Sequence, residues 1–139
     1  MKELNLKTKP TIGKVGTIIL DLESNGLLNS ASRIHCAVLH WCEDDITESY
    51  NDEKYSDDAK FLPMGARSIT TAITNIETAD VVVGHNVIGF DLPLIKRLYP
   101  FFTYPPVIVD TLLLSRLYHP NLYDIDKKNE WKDMPTKLY

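Results

Sequence analysis

The sequence predicts a mixed α/β domain, in which one β-sheet is covered by helices. Three observations indicate this class. Two strand-like segments follow one another at 17–24 and 33–42, and an acidic segment with a short edge-strand pattern at 47–50 comes next. From residue 68 to residue 118, helical and strand-like segments alternate. This order is typical of an antiparallel meander followed by β-α crossovers onto the same sheet.

Apolar runs between turn residues indicate the first two strands. The first run contains Ile18, Ile19 and Leu20 and ends at the turn-forming Ser-Asn-Gly of 24–26, as expected of a covered strand. The second, RIHCAVLHWC, should place every second side chain on the same face. We expect one face to carry Ile34, Cys36, Val38 and His40, and the other to carry His35, Ala37, Leu39 and Trp41.

The next two elements are an edge strand and a helix. The segment EDDITESYNDEKYSDD is acidic and rich in turn residues, so we expect it to form the solvated rim of the sheet. A helix is predicted over 68–79, because isoleucines at 69, 73 and 76 recur at helical spacing and Ser68 is a suitable N-cap.

Two strand and helix pairs complete the predicted core. DVVVGHN is an apolar strand entering a glycine-containing turn, and FDLPLIKRLYP is a short helix with Pro93 in its first turn. PPVIVD is a further strand and TLLLSRLY a further helix, after which the chain turns polar. We therefore expect a polar N-terminal extension at 1–16, a core at 17–118 and an irregular polar tail at 119–139.

Length and composition limit the classes of function. With 139 residues, of which 44% are hydrophobic, the chain predicts one soluble globular domain. The net charge of −4 argues against binding duplex DNA through a broad basic face. No window approaches the ~18 apolar residues of a membrane span, and residues 1–13 contain no apolar stretch suited to a signal peptide. We expect a cytoplasmic protein without a membrane partner.

Acidic residues collect at one end of the predicted sheet. Asp21 and Glu23 are two apart on a strand, so they share a face and repel unless water or a cation separates them. Asp110 ends another strand and Asp91 opens the helix beyond a third. Sites in such sheets form at the carboxyl ends of parallel strands. The acids collected there repel one another, so they either are solvated or hold a metal.

Carboxylates without cysteine favour a hard cation such as Mg²⁺ or Mn²⁺. Two such ions about 3.5–4 Å apart suit in-line attack on a phosphodiester, one activating a water and the other stabilising the departing oxygen. In that arrangement Asp21 can bridge both ions while Glu23 reaches one of them.

Three segments, DLESNGLL, GHNVIGFD and VDTLLLSRLYHPNLYD, together resemble the 3′-to-5′ proofreading exonuclease domain of family A DNA polymerases, especially those of short-tailed phages. That domain belongs to the DEDD, or DnaQ-like, superfamily. The resemblance runs from about residue 17 to residue 126. It implies a ribonuclease H-like fold and hydrolysis of single-stranded DNA from its 3′ end with two Mg²⁺ or Mn²⁺ ions.

By position, the resemblance implies that Asp21, Glu23 and Asp91 are the catalytic, metal-binding acids. It also implies that Leu27, Asn86 and Phe90 contact the substrate, Leu27 by packing on the terminal base. Each has a structural alternative. Leu27 and Leu28 could pack in the core, and Asn86 could serve the turn. His85 is interpreted as a structural hydrogen-bonding residue, and Asp110 as the cap of the following helix.

The family also has a fourth acid in a later helix, in a Tyr-x-x-x-Asp or His-x-x-x-x-Asp pattern. No Tyr-x-x-x-Asp occurs in the sequence, but His119 and Asp124, in HPNLYD, have the histidine spacing. Pro120 lies between them and they follow the preceding helix directly, which disfavours this pair. We therefore expect the C-terminal helices of the fold to be missing from this sequence and to be supplied by a polymerase domain or a second polypeptide.

The hypothesis is therefore the proofreading exonuclease domain of a phage-type DNA polymerase, acting in the cytoplasm of a bacterial host. One alternative is a non-catalytic or partner-completed fragment that binds DNA ends or another polymerase subunit. Another is an RNA exonuclease of the same superfamily. Nothing in the sequence reads a 2′-hydroxyl group, so only a comparison of DNA with RNA substrates separates this alternative from the DNA exonuclease.

Overall fold

The computed structural model describes residues 16–52, 67–121 and 124 of the 139-residue chain. Five strands and three helices lie within this described part of the chain. They are β1 (Thr17–Ser24), β2 (Ile34–Trp41), β3 (Ile46–Tyr50), α1 (Ile69–Thr78), β4 (Val81–Gly84), α2 (Asp91–Leu98), β5 (Val107–Asp110) and α3 (Thr111–Tyr118). The predicted extension at 1–16 and tail at 119–139 lie mostly outside the described residues.

The strands form one mixed sheet in the order β3-β2-β1-β4-β5. β2 runs antiparallel to both β1 and β3, whereas β1, β4 and β5 are parallel. An antiparallel meander thus precedes parallel strands reached through helical crossovers. The predicted mixed α/β class with a ribonuclease H-like sheet is confirmed.

One face of the sheet forms the core, because alternate side chains of the central strands are buried on it. In β1 and β2 these side chains are Ile18, Leu20, Leu22, Ala37, Leu39 and Trp41. Helix α1 packs over this side, against β2 and β3. Its predicted N-cap is confirmed, since the Ser68 hydroxyl accepts the Thr71 N–H at 3.2 Å.

The other face of β1 carries exposed side chains, including Ile19, which is 45% exposed, and both Asp21 and Glu23. The prediction that Asp21 and Glu23 share one face is therefore confirmed, whereas the fully covered strand expected from the apolar run is wrong, because Ile19 lies on the exposed face with the acids. The acids project from the sheet face opposite to the one that α1 covers.

A β-bulge corrects the predicted faces of β2. Glu23 pairs with Cys36 but Ser24 pairs with Ile34, so His35 is skipped in the register. The extra residue inverts the alternation at that point. Ile34 is therefore buried, whereas His35 is exposed and lies 3.1 Å from the Arg33 guanidinium through Nδ1. The expected grouping of Ile34 with Cys36, and of His35 with Ala37, is wrong for this reason.

Strand β3 is not a fully solvated rim, because two of its side chains are buried. Glu48 is 2% and Tyr50 is 0% exposed. The Tyr50 hydroxyl donates to a Glu48 carboxylate oxygen, and the Asn75 side-chain amide of α1 donates to the Tyr50 hydroxyl oxygen at 3.0 Å. Burial, followed by the bond to Glu48, raises the pKa of Tyr50 above its usual range. The hydrogen bonds among Glu48, Tyr50 and Asn75 therefore link β3, the strand at the edge of the sheet, to α1.

Replacing Tyr50 with Phe tests the strength of that attachment. The substitution removes one donor and one acceptor while it keeps the ring, so it leaves the Asn75 amide without this acceptor. We expect the free energy of unfolding to fall by about 1–3 kcal/mol, measured by urea denaturation. Tyr104→Phe is the matched control, because Tyr104 is 45% exposed and its ring contact with Phe102 survives the change. Equal effects of the two substitutions would contradict the role of the buried network.

Candidate functional site

The predicted collection of acids at one end of the sheet is observed. Asp21 and Glu23 lie in the carboxyl-terminal half of β1, Asp110 ends β5, and Asp91 opens α2 after the loop that follows β4. β1, β4 and β5 are neighbouring parallel strands, so their carboxyl ends lie together at one end of the sheet. Ligands bind at this end in open α/β sheets.

Asp91 is the most enclosed acid of the predicted metal-binding set. It is 5% exposed, and its carboxylate accepts hydrogen bonds from its own N–H and from the Leu22 N–H. Burial, with a further contribution from the negative charges of Asp21 and Asp110, raises the pKa of Asp91 to about 7. The fold therefore brings Asp91 against β1 and within electrostatic reach of Asp21.

The acids do not form a closed cluster. Within the described ranges, no three side chains of His, Cys, Asp or Glu lie close enough together to hold a metal ion as they stand. Asp21 and Asp91 are coupled, and Glu23 lies one strand repeat further along the exposed face. Asp21 and Glu23 are both exposed, so water solvates the charges of this pair.

Leu27 projects from the loop between β1 and β2. Its side chain is 78% exposed, so core packing is the wrong interpretation for Leu27, although it is right for Leu28, which packs against the core. The loop is held by Asn25, whose Oδ1 accepts the Ser32 and Arg33 N–H groups at 2.9 and 3.0 Å. An apolar side chain is thus presented to solvent on a fixed loop beside the acids.

The loop between β4 and α2 is tightly folded around Asn86. This residue has φ of 59°, and its carbonyl accepts the N–H groups of Gly89 and Phe90 at 3.0 and 2.9 Å. The turn role considered for Asn86 is confirmed by these bonds. Its side chain remains exposed at the site, whereas the Phe90 side chain is half-buried and packs against the core.

The Asp110 carboxylate accepts four backbone N–H groups. Two, from Leu112 and Leu113 at 2.9 and 3.4 Å, belong to the first turn of α3, so the predicted cap is confirmed. The other two come from Asn86 and Ile88, each at 3.0 Å. Burial of Asp110 acts to raise its pKa, but these hydrogen bonds prevail and lower it. The sequence indicated only the cap, because the loop partners lie more than 20 residues away.

His85 and the disfavoured His119–Asp124 pair occupy different places. His85 Nδ1 lies 3.0 Å from Thr111 Oγ1, as its structural interpretation anticipates. His119 follows α3, and its N–H donates to the Ser115 carbonyl at 2.8 Å. Because Asp110 and His119 are the residues that flank α3 at its two ends, His119 lies about 13 Å from Asp110 along the helix axis. Both His119 and Asp124 are exposed, and this separation argues against a catalytic role for the pair.

None of the helices in the described part of the chain has the length and apolar character needed to cross a bilayer.

Comparisons with known proteins identify phage polymerases as relatives. The chain is 31% identical over 115 residues to the DNA-directed DNA polymerase of Escherichia phage T7, covering 78% of this chain. It is 28% identical over 116 residues to the DNA-directed DNA polymerase of Enterobacteria phage T3, again covering 78% of this chain. It spans 15% of the length of each relative. The predicted resemblance to phage DNA polymerases is confirmed.

No protein-family model matches the chain. Among solved structures, the family B DNA polymerase from the hyperthermophilic archaeon Pyrobaculum calidifontis aligns with a TM-score of 0.40 and 17% identity. That alignment covers 64% of this chain and 11% of the polymerase chain.

Proposed function

We propose that this chain, similar over 78% of its length to a segment of phage DNA polymerases, is a 3′-to-5′ exonuclease domain of such a polymerase. Its substrate is the 3′ end of single-stranded DNA, and the host cytoplasm is its place of action. One observation carries the proposal: Asp91 is buried against Leu22 and electrostatically coupled to Asp21 at the carboxyl end of parallel strands.

The acids fit a divalent cation by their chemistry. Burial and two neighbouring carboxylates raise the pKa of Asp91 to about 7. A cation nearby would therefore stabilise the ionised form of this carboxylate. Asp21, Glu23 and Asp91 offer only oxygen ligands, which suit Mg²⁺ or Mn²⁺. When bound, two such ions would lower the pKa of a water and stabilise the departing oxyanion. Asp21 and Glu23 turning inward from exposed positions would complete the ligand set.

The remaining residues of the site act on the DNA strand. Leu27 packs on the terminal base without reading its identity. Asn86 presents an exposed amide at the start of the loop, and Phe90 supports that loop from the core side. The acids repel phosphate groups in the absence of cations, so binding of the strand depends on the same ions as cleavage.

Cleavage of labelled oligonucleotides tests the proposal. A 5′-labelled single-stranded DNA incubated with Mg²⁺ or Mn²⁺ should yield a ladder shortened from the 3′ end, and EDTA should abolish it. Asp21→Ala should remove the activity. Asp80→Ala should retain it, because Asp80 is an exposed acid just before the amino-terminal end of β4, at the opposite end of the sheet. A matched RNA strand degraded at least as fast would favour the RNA exonuclease alternative. Cleavage that survives both EDTA and Asp21→Ala would contradict the proposal.

The exposed position of Leu27 gives a more specific expectation. Leu27→Ala should raise KM for single-stranded DNA about fivefold, equivalent to about 1 kcal/mol, with little change in kcat. Steady-state kinetics on a short oligonucleotide measures both. The matched control is Phe101→Ala, since Phe101 is 98% exposed beyond the far end of α2. An unchanged KM for Leu27→Ala would remove this residue from the binding surface.

A second candidate function is binding without cleavage, with a partner polypeptide or the polymerase domain completing the fold. The observation that favours it is α3, which buries Leu112 but leaves Leu113 50%, Leu117 72% and Tyr118 73% exposed. Apolar surface of this kind is typical of an interface. Light scattering distinguishes the candidates, because a monomer that shortens DNA alone needs no partner. A stable oligomer or complex that binds DNA ends but never cleaves them would favour the second.

A further inference from the structure

The two carboxylate oxygens of Asp110 have different partners. Oδ1 accepts the N–H groups of Leu112, Leu113 and Asn86, whereas Oδ2 accepts the N–H of Ile88 at 3.0 Å. Capping α3 requires only Oδ1. The bond to Ile88 does nothing for that helix, and it anchors the loop that leads to Asp91.

That loop has little freedom once Asp110 holds it. Val87, between the two anchored residues, is fully buried, and its carbonyl accepts the Leu92 N–H in the first turn of α2 at 3.0 Å. Gly84, at the loop entrance, has no room for a side chain, since a Cβ there would lie 2.8 Å from Val87 and 3.1 Å from the Leu20 carbonyl oxygen. The anchored loop therefore fixes where α2 begins, and with it the place of Asp91.

We propose that Asp110 is a positioning residue for the third acid: it holds the loop so that the Asp91 carboxylate stays against Leu22 and faces Asp21. The inference rests on the proposed function for its catalytic consequence. Asp110 itself is 5% exposed and its oxygens are engaged by backbone N–H groups, so it acts through Asp91 rather than by touching substrate. Partners that orient metal ligands in this way commonly change metal affinity or activity 10–100-fold when they are replaced.

Three substitutions separate the roles of Asp110. Asp110→Asn is isosteric and keeps one oxygen for the cap, but it sets an amide N–H against the Ile88 N–H. Asp110→Ser retains a capping oxygen and loses the second acceptor. Asp110→Glu preserves the charge but displaces the carboxylate by one methylene. Ser68→Ala is the matched control, since it removes the N-cap of α1, which lies before β4 and outside the site.

Isothermal calorimetry with Mn²⁺ and amide hydrogen exchange provide the readouts on the full chain. For all three Asp110 variants, we expect Mn²⁺ affinity at least about tenfold weaker and faster exchange at the Ile88 and Leu22 amides. The kcat for DNA cleavage should fall with them while KM changes little. Ser68→Ala should lower Tm without changing Mn²⁺ affinity.

Wild-type Mn²⁺ affinity in Asp110→Asn and Asp110→Ser would overturn the inference. Wild-type affinity in Asp110→Glu alone would also overturn it, because charge rather than position would then be the cause. A failure of the unsubstituted chain to bind Mn²⁺ would contradict the proposed function instead. In that case, exchange at Ile88 and Leu22 still decides whether Asp110 holds the loop and Asp91 in place: unchanged exchange would refute the inference.

Discussion

Asp91→Asn is expected to reduce DNA cleavage by at least about 10³-fold, because ligands of one metal site act as a unit and the loss of one removes most of the rate. The substitution is isosteric and places a neutral amide where Asp91 now accepts the Leu22 N–H. The fold should therefore persist while the charge that binds the cation is lost. The expected effect lies in kcat, measured on a 5′-labelled oligonucleotide at saturating Mg²⁺.

The matched control for this prediction is Asp80→Asn, since Asp80 is exposed and precedes the amino-terminal end of β4, at the end of the sheet opposite to the site. It should leave kcat unchanged. If Asp91→Asn retained more than about a tenth of the wild-type kcat, Asp91 would not be a ligand of the reacting centre, and the assignment of the three acids would be wrong.

The second large effect is a dependence of stability on pH in metal-free buffer. The folded state raises the pKa of Asp91 from 3.8 to about 7. A group with a raised pKa stabilises the fold below its unfolded pKa, and that contribution is lost as the pH rises through the folded value. Between about pH 4 and pH 7, the free energy of unfolding should therefore fall by up to about 4 kcal/mol.

Asp91→Asn should remove this dependence of the free energy of unfolding on pH, because asparagine has no carboxyl proton to release. Asp110 does not interfere, since its pKa is lowered and its own contribution is lost only on acidification below about pH 4. Urea denaturation at pH 5 and pH 8, each with EDTA, measures the difference directly. The same slope in the wild type and in Asp91→Asn would contradict the enclosed environment of this carboxylate.

Local patterns predicted much of the fold. The shared face of Asp21 and Glu23 in β1 could be predicted, because strand geometry alone sets that periodicity. The exposure of Ile19 on the same face could not, because it depends on what covers the sheet. The bulge at His35 could not be predicted, since it depends on the pairing of β2 with β1. The burial of Glu48 likewise depends on Tyr50 and on contacts from α1, which outweigh the acidic composition of the segment.

The candidate site was predictable as a set of acids at strand ends, because strand order and parallel topology bring those ends together. Its finer features depend on contacts distant in sequence. The enclosure of Asp91 against Leu22 and the bonds of Asp110 to Asn86 and Ile88 arise only when the loop after β4 folds between β1 and β5. The exposure of Leu27 depends on the conformation of its loop, across which Asn25 accepts the Ser32 and Arg33 N–H groups.

Mn²⁺ calorimetry on the full chain shows whether Asp21, Glu23 and Asp91 form a divalent metal site. We expect saturable binding at pH 7.5 that Asp91→Asn and Asp21→Ala each abolish and that Asp80→Asn leaves unchanged. A chain that binds no Mn²⁺, or one whose binding is unaffected by the loss of Asp91, would contradict this expectation.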